Sequence, residues 1–371
     1  MTLSRSSILP SALLALALLL PSGPVSGAGA GFHLPPDLLA PREPGSASFR
    51  LGEQDLGSPA VDGAADAFEA GVDAASPRLG SSGSAETSGE GGAPTVAPKK
   101  DRRWLVMGGF GVAFLGLEYA AFWSSANVNE EFQFREEGWF GRYTYAGGAD
   151  KASHIVGGYI TGRIVDAALQ RTGTPARDAR ILSAAFVTVI GTLVEVGDAY
   201  HGYGFSWEDA VVTAGGGIVG SVISGLGWDD TVTMRFGMVG KDLPDDPSVI
   251  LADPNHYSGE VYTLDLRFAG LFPRLKADPK LARFLLFSVT YGSKGYQWVE
   301  ESARQRLLGF ELGLDFHQVA LALGVPPDKW WGAIVLGFFK YFRLPFTGIG
   351  FQYELNSNRW KGPNSFYRFD F

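Results

Sequence analysis

Residues 195–220 read EVGDAYHGYGFSWEDAVVTAGGGIVG, which joins the end of one apolar helix to the start of another. Glu195 and Asp198 close the first predicted helix, and Ser206 and Asp209 have the form of a capping box for the second. The Gly-rich run that follows has neither a preceding strand nor a following Gly-Lys-Ser/Thr sequence. It therefore predicts close packing of helices rather than a phosphate-binding loop.

A second group of polar residues opens an earlier apolar segment, residues 150–170. Asp150 and His154 are four residues apart, so they share one helical face, and Gly157 and Gly158 lie near that face. Ionisable groups in apolar surroundings cost several kcal/mol unless they are paired or used. We therefore expect the polar residues of the two segments to meet at one site.

The residue types at this predicted site suit acid–base chemistry or a divalent metal. His154, Glu195 and Asp198 are the candidate catalytic residues. Asp150, Lys151 and Asp209 are the candidate binding residues that support them. The sequence assigns neither a cofactor nor a particular metal to the site.

Structural roles for the same residues remain open alternatives. Asp150 is in position to serve as a helix N-cap, and Lys151 to be a solvated charge. His154 is equally compatible with a structural histidine. Glu195 is also in place to pair with a buried cation such as Lys151 or Arg163.

The hydrophobic pattern predicts an α+β fold with an N-terminal helical module followed by a strand-rich part. About four helices are predicted, at 104–123, 150–170, 179–197 and 210–227. From residue 231 onward apolar and polar residues alternate, which is typical of strands with one apolar face. Roughly eight strands are predicted, including 262–268, 284–292, 308–316, 318–325, 331–342, 349–355 and 367–371.

Two architectures fit these strands. One is a small outer-membrane β-barrel, with apolar residues facing lipid and polar or Gly residues facing the lumen. The other is an antiparallel sheet whose apolar face covers the helices.

The first hundred residues predict export followed by a tether. Arg5, the apolar run 12–20 and the small residues at 28–30 have the order of a signal peptide, assigned to residues 1–30. Residues 31–100 are rich in Gly, Ser, Ala and Pro and predict a disordered low-complexity tether. Residues 101–228 are then the helical domain and 229–371 the strand-rich domain. The sequence contains no cysteine, which excludes a lipobox and disulfides.

The composition restricts the classes of function. A net charge of −8 and the lack of a basic stripe argue against nucleic-acid binding. No nucleophile elbow, HExxH or Walker motif is present, so the sequence leaves open whether the protein is an enzyme.

The order and spacing of the polar residues resemble the YfiM-type family of predicted bacterial envelope proteins, a domain of unknown function. The matching elements are Asp150-Lys-x-x-His154, Glu195-x-x-Asp198, Gly204-Phe-Ser-Trp-x-Asp209 and Gly216-x-x-x-Gly220. Residues 257–262 and 291–296 are similar to longer members with a strand-rich extension. A more distant similarity is to VanZ-like membrane proteins, from which this sequence departs by carrying Val-Thr-Ala at 212–214 instead of an Asn. The resemblance implies a location and a fold but no established activity.

Two functional hypotheses from different classes follow. The first is a membrane-associated structural or interaction protein of the cell envelope, in which the polar cluster is a buried ion-pair network. The second is a membrane-associated enzyme or binder that acts on a lipid or cell-wall intermediate through His154 and Glu195. In both, we expect the partner to be a membrane lipid or an envelope protein. The location is the outer membrane or the periplasmic face of a membrane.

Overall fold

A computed structural model describes residues 101–126, 128–238, 257–296 and 304–362. The predicted signal peptide, the predicted tether and the predicted strand 367–371 lie outside the described residues. The helical part contains four long helices, as the sequence predicts. They are α1 (Arg103–Ala121), α2 (Ala149–Arg171), α3 (Ala176–Tyr200) and α4 (Trp207–Gly225).

The helices α2, α3 and α4 pack around a core of aliphatic side chains, among them Ile160 and Val187. Glycines bring α2 and α4 unusually close. A Cβ atom built on Gly216 would lie 2.1 Å from the carbonyl oxygen of Ile155, and one on Gly158 would lie 2.2 Å from that of Thr213. The predicted role of the Gly-rich run in close helix packing is therefore confirmed.

One helix among the described residues, α3, is long and apolar enough to cross a membrane by length and composition alone. Its packing against α2 and α4 is an alternative reason for its apolar composition, since the core helix of a bundle shows the same pattern.

In the described residues after 231, the second part of the fold is a seven-stranded sheet with three short helices. The strands are β1 (Val232–Met238), β2 (Glu260–Arg267), β3 (Leu285–Lys294), β4 (Gln305–Leu314), β5 (Phe342–Arg343), β6 (Gly348–Glu354) and β7 (Arg359–Lys361). The short helices are α5 (Phe268–Arg274), α6 (Phe316–Ala322) and α7 (Trp330–Tyr341). The α+β class is confirmed.

Two of the predicted strands are wrong. Residues 318–325 fall largely in α6, where the Asp315 side chain accepts a hydrogen bond from the backbone N–H of Gln318 and caps the helix. Residues 331–342 fall largely in α7. This run is apolar without alternation, and such a run fits a buried strand and a helix equally well.

The closed barrel is also wrong for the described strands. Their order is β5-β1-β2-β3-β4-β6-β7, with β1 and β5 parallel and every other pair antiparallel, so β5 and β7 form two open edges. The sheet is nevertheless strongly curved. Arg343 of β5 forms an ion pair with Glu311 of β4, although three strands lie between them in the sheet.

The two faces of the curved sheet differ in an unexpected way. The inner face carries the charged residues and is buried, with ion pairs such as Arg235–Asp265 and Arg267–Asp315. The apolar face contacts the helical core only at one end, through residues such as Phe236. The alternative of an apolar face that covers the helices is therefore correct for this end of the sheet only.

Candidate functional site

A cavity of about 190 Å³ lies among the four long helices and the adjoining end of the sheet. Its lining includes apolar residues such as Phe114 of α1, Val187, Ile190 and Val194 of α3, and Phe236 of β1. It also contains five of the six residues that the sequence predicts for the site. These are Asp150, His154, Glu195, Asp198 and Asp209. The sixth, Lys151, lies directly behind them.

Lys151 is the centre of a buried ion-pair cluster. Its ammonium nitrogen lies 2.7 Å from carboxylate oxygens of Asp150, Asp209 and Glu137. Burial disfavours the charged amine, but the surrounding carboxylates outweigh this cost and raise the pKa of Lys151. The alternative of a solvated lysine is therefore wrong, because only 1% of the residue is exposed.

Asp150 is held in its ionised form by several partners. Burial opposes ionisation, but His154 and the Lys151 ammonium together hold the pKa of Asp150 well below its usual range. The hydroxyl of Tyr257 also donates a hydrogen bond of 2.6 Å to Asp150 Oδ1. Asp150 lies in the first turn of α2, and Gly148 is the N-cap. The alternative role of Asp150 as N-cap is thus wrong.

His154 is the member of the cluster that a ligand can reach, because 29% of its side chain is exposed. Its Nε2 atom lies 3.7 Å from Asp150 Oδ1 and 3.9 Å from Asp209 Oδ1, and its Nδ1 atom is hydrogen bonded to Thr213 Oγ1 at 3.0 Å. Burial lowers the pKa of His154, but Asp209 and Asp150 outweigh burial and raise it above the usual value.

Glu195 and Asp198 line the same cavity in different protonation states. Burial and the charges of Asp209 and Asp198 raise the pKa of Glu195 to about 9, so its side chain is a neutral acid at pH 7. Burial raises the pKa of Asp198 to about 6, while a hydrogen bond of 2.6 Å from the Trp123 indole N–H favours its ionised form. Glu118 of α1 also has a pKa raised to about 8, mainly by burial.

The turn before α4 attaches Glu195 to the cap of that helix. Ser206 caps α4 by accepting a hydrogen bond from the Asp209 N–H at 3.3 Å, as the sequence predicts. The return half of the capping box differs, because Glu195 rather than Asp209 accepts the Ser206 N–H, at 3.1 Å. Asp209 is thereby left to pair with Lys151. No contact links Glu195 to Lys151 or Arg163, and Arg163 instead pairs with Asp166.

Three of these residues meet the distance requirement of a cation site. Ligand atoms of Asp150, His154 and Asp209 all lie within 4.8 Å of one another. The Lys151 ammonium already lies against both carboxylates and offsets one of their two negative charges.

Sequence reasoning missed several residues of the site. Glu137, Thr213 and Tyr257 contact the cluster from the loop before α2, from α4 and from the start of the strand region. Glu137 carried a detectable signal as an acidic residue in the loop that precedes Asp150. Tyr257 carried none, since only the folded chain brings a residue 107 positions away to Asp150.

Residues 136–224 match the model of a protein family described as "Predicted periplasmic lipoprotein (DUF2279)". The match runs from the loop before α2 nearly to the end of α4, and it includes all six predicted site residues. No curated protein and no solved structure matches the chain. The description supports a bacterial cell-envelope protein and assigns no activity. Lipidation is not carried over from it, because the sequence contains no cysteine.

Proposed function

We propose that this envelope protein binds a small amphiphilic ligand in the cavity of its helical domain, and that His154 and Glu195 exchange protons with the bound ligand. The ligand class is the anionic polar end of a lipid or cell-wall intermediate. The helical domain is of the YfiM type in this proposal, and the protein acts at the outer membrane or the periplasmic face of a membrane.

The observation that carries the proposal is the mixed lining of the cavity. It combines aliphatic and aromatic side chains such as Ile190 and Phe114 with polar ones such as His154 and Asp209. Ligand sites are mostly apolar with a few convergent polar groups, and titratable groups with perturbed pKa values cluster in them. A cavity of about 190 Å³ accommodates roughly six to eight non-hydrogen atoms, judged against a 150 Å³ cavity that binds benzene.

Two basic side chains of the lining, His154 and Arg135, are the groups that an anionic ligand would contact. Lys151 is enclosed by carboxylates, whereas the side chains of His154 and Arg135 are 29% and 50% exposed. Glu195 is a neutral acid, which provides a proton donor. Groups whose surroundings drive their pKa values apart, as for Asp150 and Glu195, are typical of acid–base pairs.

A structural role is the second candidate, and the enclosure of Lys151 favours it. A buried lysine with three carboxyl groups within 2.7 Å forms an ion-pair network that fixes the arrangement of α2 and α4. In that case His154 is a peripheral member of the network.

Binding of butyl phosphate to the purified protein, followed by ³¹P NMR, separates the two candidates. Wild-type protein is compared with His154→Gln, which removes the imidazole, and with Val194→Trp, which fills the cavity. Thr192→Trp is the matched control, because Thr192 lies on the same helix but is exposed. We expect saturable binding by the wild type and the control, and at least a tenfold loss in both cavity variants.

The structural candidate predicts the opposite pattern. If the wild type does not bind butyl phosphate, or if all four proteins bind it equally, the ligand site is refuted. A lower free energy of unfolding in His154→Gln under those conditions would then identify His154 as a structural residue.

A further inference from the structure

The convex face of the sheet is apolar and largely uncovered. We define the outer sheet face as seven residues that are 38–71% exposed: Leu264, Phe287, Phe310, Leu312, Leu314, Ile349 and Phe351. They form one continuous patch, because the register places Phe287 beside Leu312, Leu312 beside Ile349, and Phe310 beside Phe351. The Phe287 and Phe310 rings stack, with centroids 6.3 Å apart.

The concave face of the same strands is charged and buried. Asp265 accepts a hydrogen bond from Ser288 and pairs with Arg235, and Glu311 accepts one from Gln352 and pairs with Arg343. A sheet that faces water on one side normally places its apolar residues inside and its polar residues outside. Here the arrangement is reversed, which is the pattern of a sheet whose outside meets hydrocarbon.

Three features identify a lipid bilayer as the occupant. The outward residues of β2, β3, β4 and β6 are apolar or aromatic over 262–266, 285–291, 308–314 and 349–353, and the polar outward residues Glu260, Ser293 and Arg306 lie beyond these stretches. The apolar outward stretches of β3 and β4 cover seven residues each, which corresponds to roughly 23 Å and reaches into the hydrocarbon core without crossing it. The face is also convex, and two rigid convex surfaces bury little area against each other, whereas fluid lipid chains follow any curvature.

The end of the sheet carries a feature that suits anionic headgroups. Trp360 is exposed in β7 and has Arg359 and Lys361 as its neighbours. The indole packs against Tyr353 of β6, with ring centroids 5.3 Å apart. Tryptophan and basic side chains concentrate at the level of the headgroups of a bilayer.

We propose that the outer sheet face is seated in the hydrocarbon of a membrane that contains anionic phospholipid, with β7 at the level of the headgroups. This proposal rests on the membrane association in the proposed function and does not depend on the cavity. It names the lipid bilayer as the partner and assigns the surface that meets it.

The chain contains no cysteine, so single introduced cysteines can be labelled selectively. The full chain is prepared as Leu312→Cys, Ile349→Cys and Phe351→Cys and labelled with the fluorophore NBD. Glu130→Cys, in the exposed loop after α1, is the control. Each protein is mixed with vesicles of phosphatidylethanolamine and phosphatidylglycerol, with or without lipid that carries a doxyl quencher in the acyl chain.

We expect the three sheet labels to brighten several-fold with vesicles and to be quenched by the acyl-chain doxyl group, while the control label does neither. Labels that stay in water overturn the proposal. If the sheet labels are shielded from water without vesicles and the protein has the mass of a dimer, the proposal is overturned, because a second copy of the chain then covers the outer sheet face. A cavity variant such as Val194→Trp leaves lipid contact unchanged, so the two proposals fail separately.

Discussion

Lys151 lies in the helical domain with carboxylates of Glu137, Asp150 and Asp209 around its ammonium group. We predict that Lys151→Met lowers the free energy of unfolding by about 3–5 kcal/mol, because it leaves buried carboxylates without a counter-ion. The loss should be smaller at pH 5 than at pH 8, since carboxylates that lose their counter-ion take up protons.

Urea denaturation at the two pH values measures this effect. Lys329→Met is the control, because Lys329 is exposed and lies 4.0 Å from an equally exposed Asp328. An exposed ion pair contributes no more than about 1 kcal/mol. Equal losses for the two lysines would contradict the buried cluster.

The protonation of Glu195 makes the free energy of unfolding depend on pH. Since burial raises its pKa from 4.5 to about 9, the folded state keeps a proton that the unfolded state releases, and stability falls as the pH rises between these values. The slope for one proton is about 1.4 kcal/mol per pH unit.

We predict that Glu195→Gln removes this slope, because the amide stays neutral and its oxygen can still accept the Ser206 N–H. The free energy of unfolding of Glu195→Gln, measured relative to that of the wild type, should therefore increase steadily from pH 5 to pH 9. Glu130→Gln removes the same charge at an exposed position and should change the slope little. If the free energies of unfolding of wild type and Glu195→Gln change with pH in parallel, Glu195 is ionised in the folded protein and the prediction is contradicted.

At the scale of secondary-structure elements, the close contact between α2 and α4 depends on some glycines of α4 and not on others. A Cβ atom on Gly216 would meet the Ile155 carbonyl oxygen at 2.1 Å, whereas one on Gly215 would meet nothing within 4 Å. We predict that Gly216→Ala destabilises the protein by about 1–3 kcal/mol through overpacking.

Gly215→Ala is the matched control and should stabilise the protein by up to about 1 kcal/mol, because alanine has the higher helix propensity. Thermal unfolding of both variants tests the pair. A neutral or stabilising Gly216→Ala would mean that α2 and α4 do not approach as closely as the structure shows.

The helices and most strands were predictable because their periodicity is strong over many residues. The run 331–342 was not, because it is apolar without alternation and nothing local distinguishes a strand from a helix. The partners of Lys151 were predictable in part. Asp150 and Asp209 belong to recognisable motifs, but the contact with Glu137 depends on how the preceding loop folds back.

The faces of the sheet illustrate a different limit of sequence reasoning. Alternation in β4 reveals two unlike faces, but it does not say which of them is enclosed. The enclosure depends on the curvature that brings Arg343 to Glu311, and this is a property of the whole sheet.

At the scale of the whole molecule, the helical core continues into the sheet through Phe236, which is buried and packs against Tyr262 and Phe342. We predict that Phe236→Ala lowers stability by about 3–5 kcal/mol, as is usual for a buried Phe. Helical circular dichroism and tryptophan fluorescence should lose signal together, because the two parts share this core.

Phe351→Ala is the control for the same substitution on the outer sheet face, where the ring is 57% exposed. In detergent-free buffer its effect should be below about 1 kcal/mol, because little buried area is lost. Separate transitions in the Phe236→Ala protein would show that helices and sheet are not coupled through this residue.

The ligand site itself is tested most directly by the pKa of His154 in the folded protein. The chain has five histidines, so NMR can follow each imidazole as the pH is changed, and His154→Gln assigns the signal. The neighbouring carboxylates raise this pKa, so stability from the charged imidazole is present below pH 6.5 and is lost as the pH rises through the raised value. We predict a pKa above 6.5 that rises further when butyl phosphate is added. A pKa at or below 6.5 that does not respond to butyl phosphate would contradict the site.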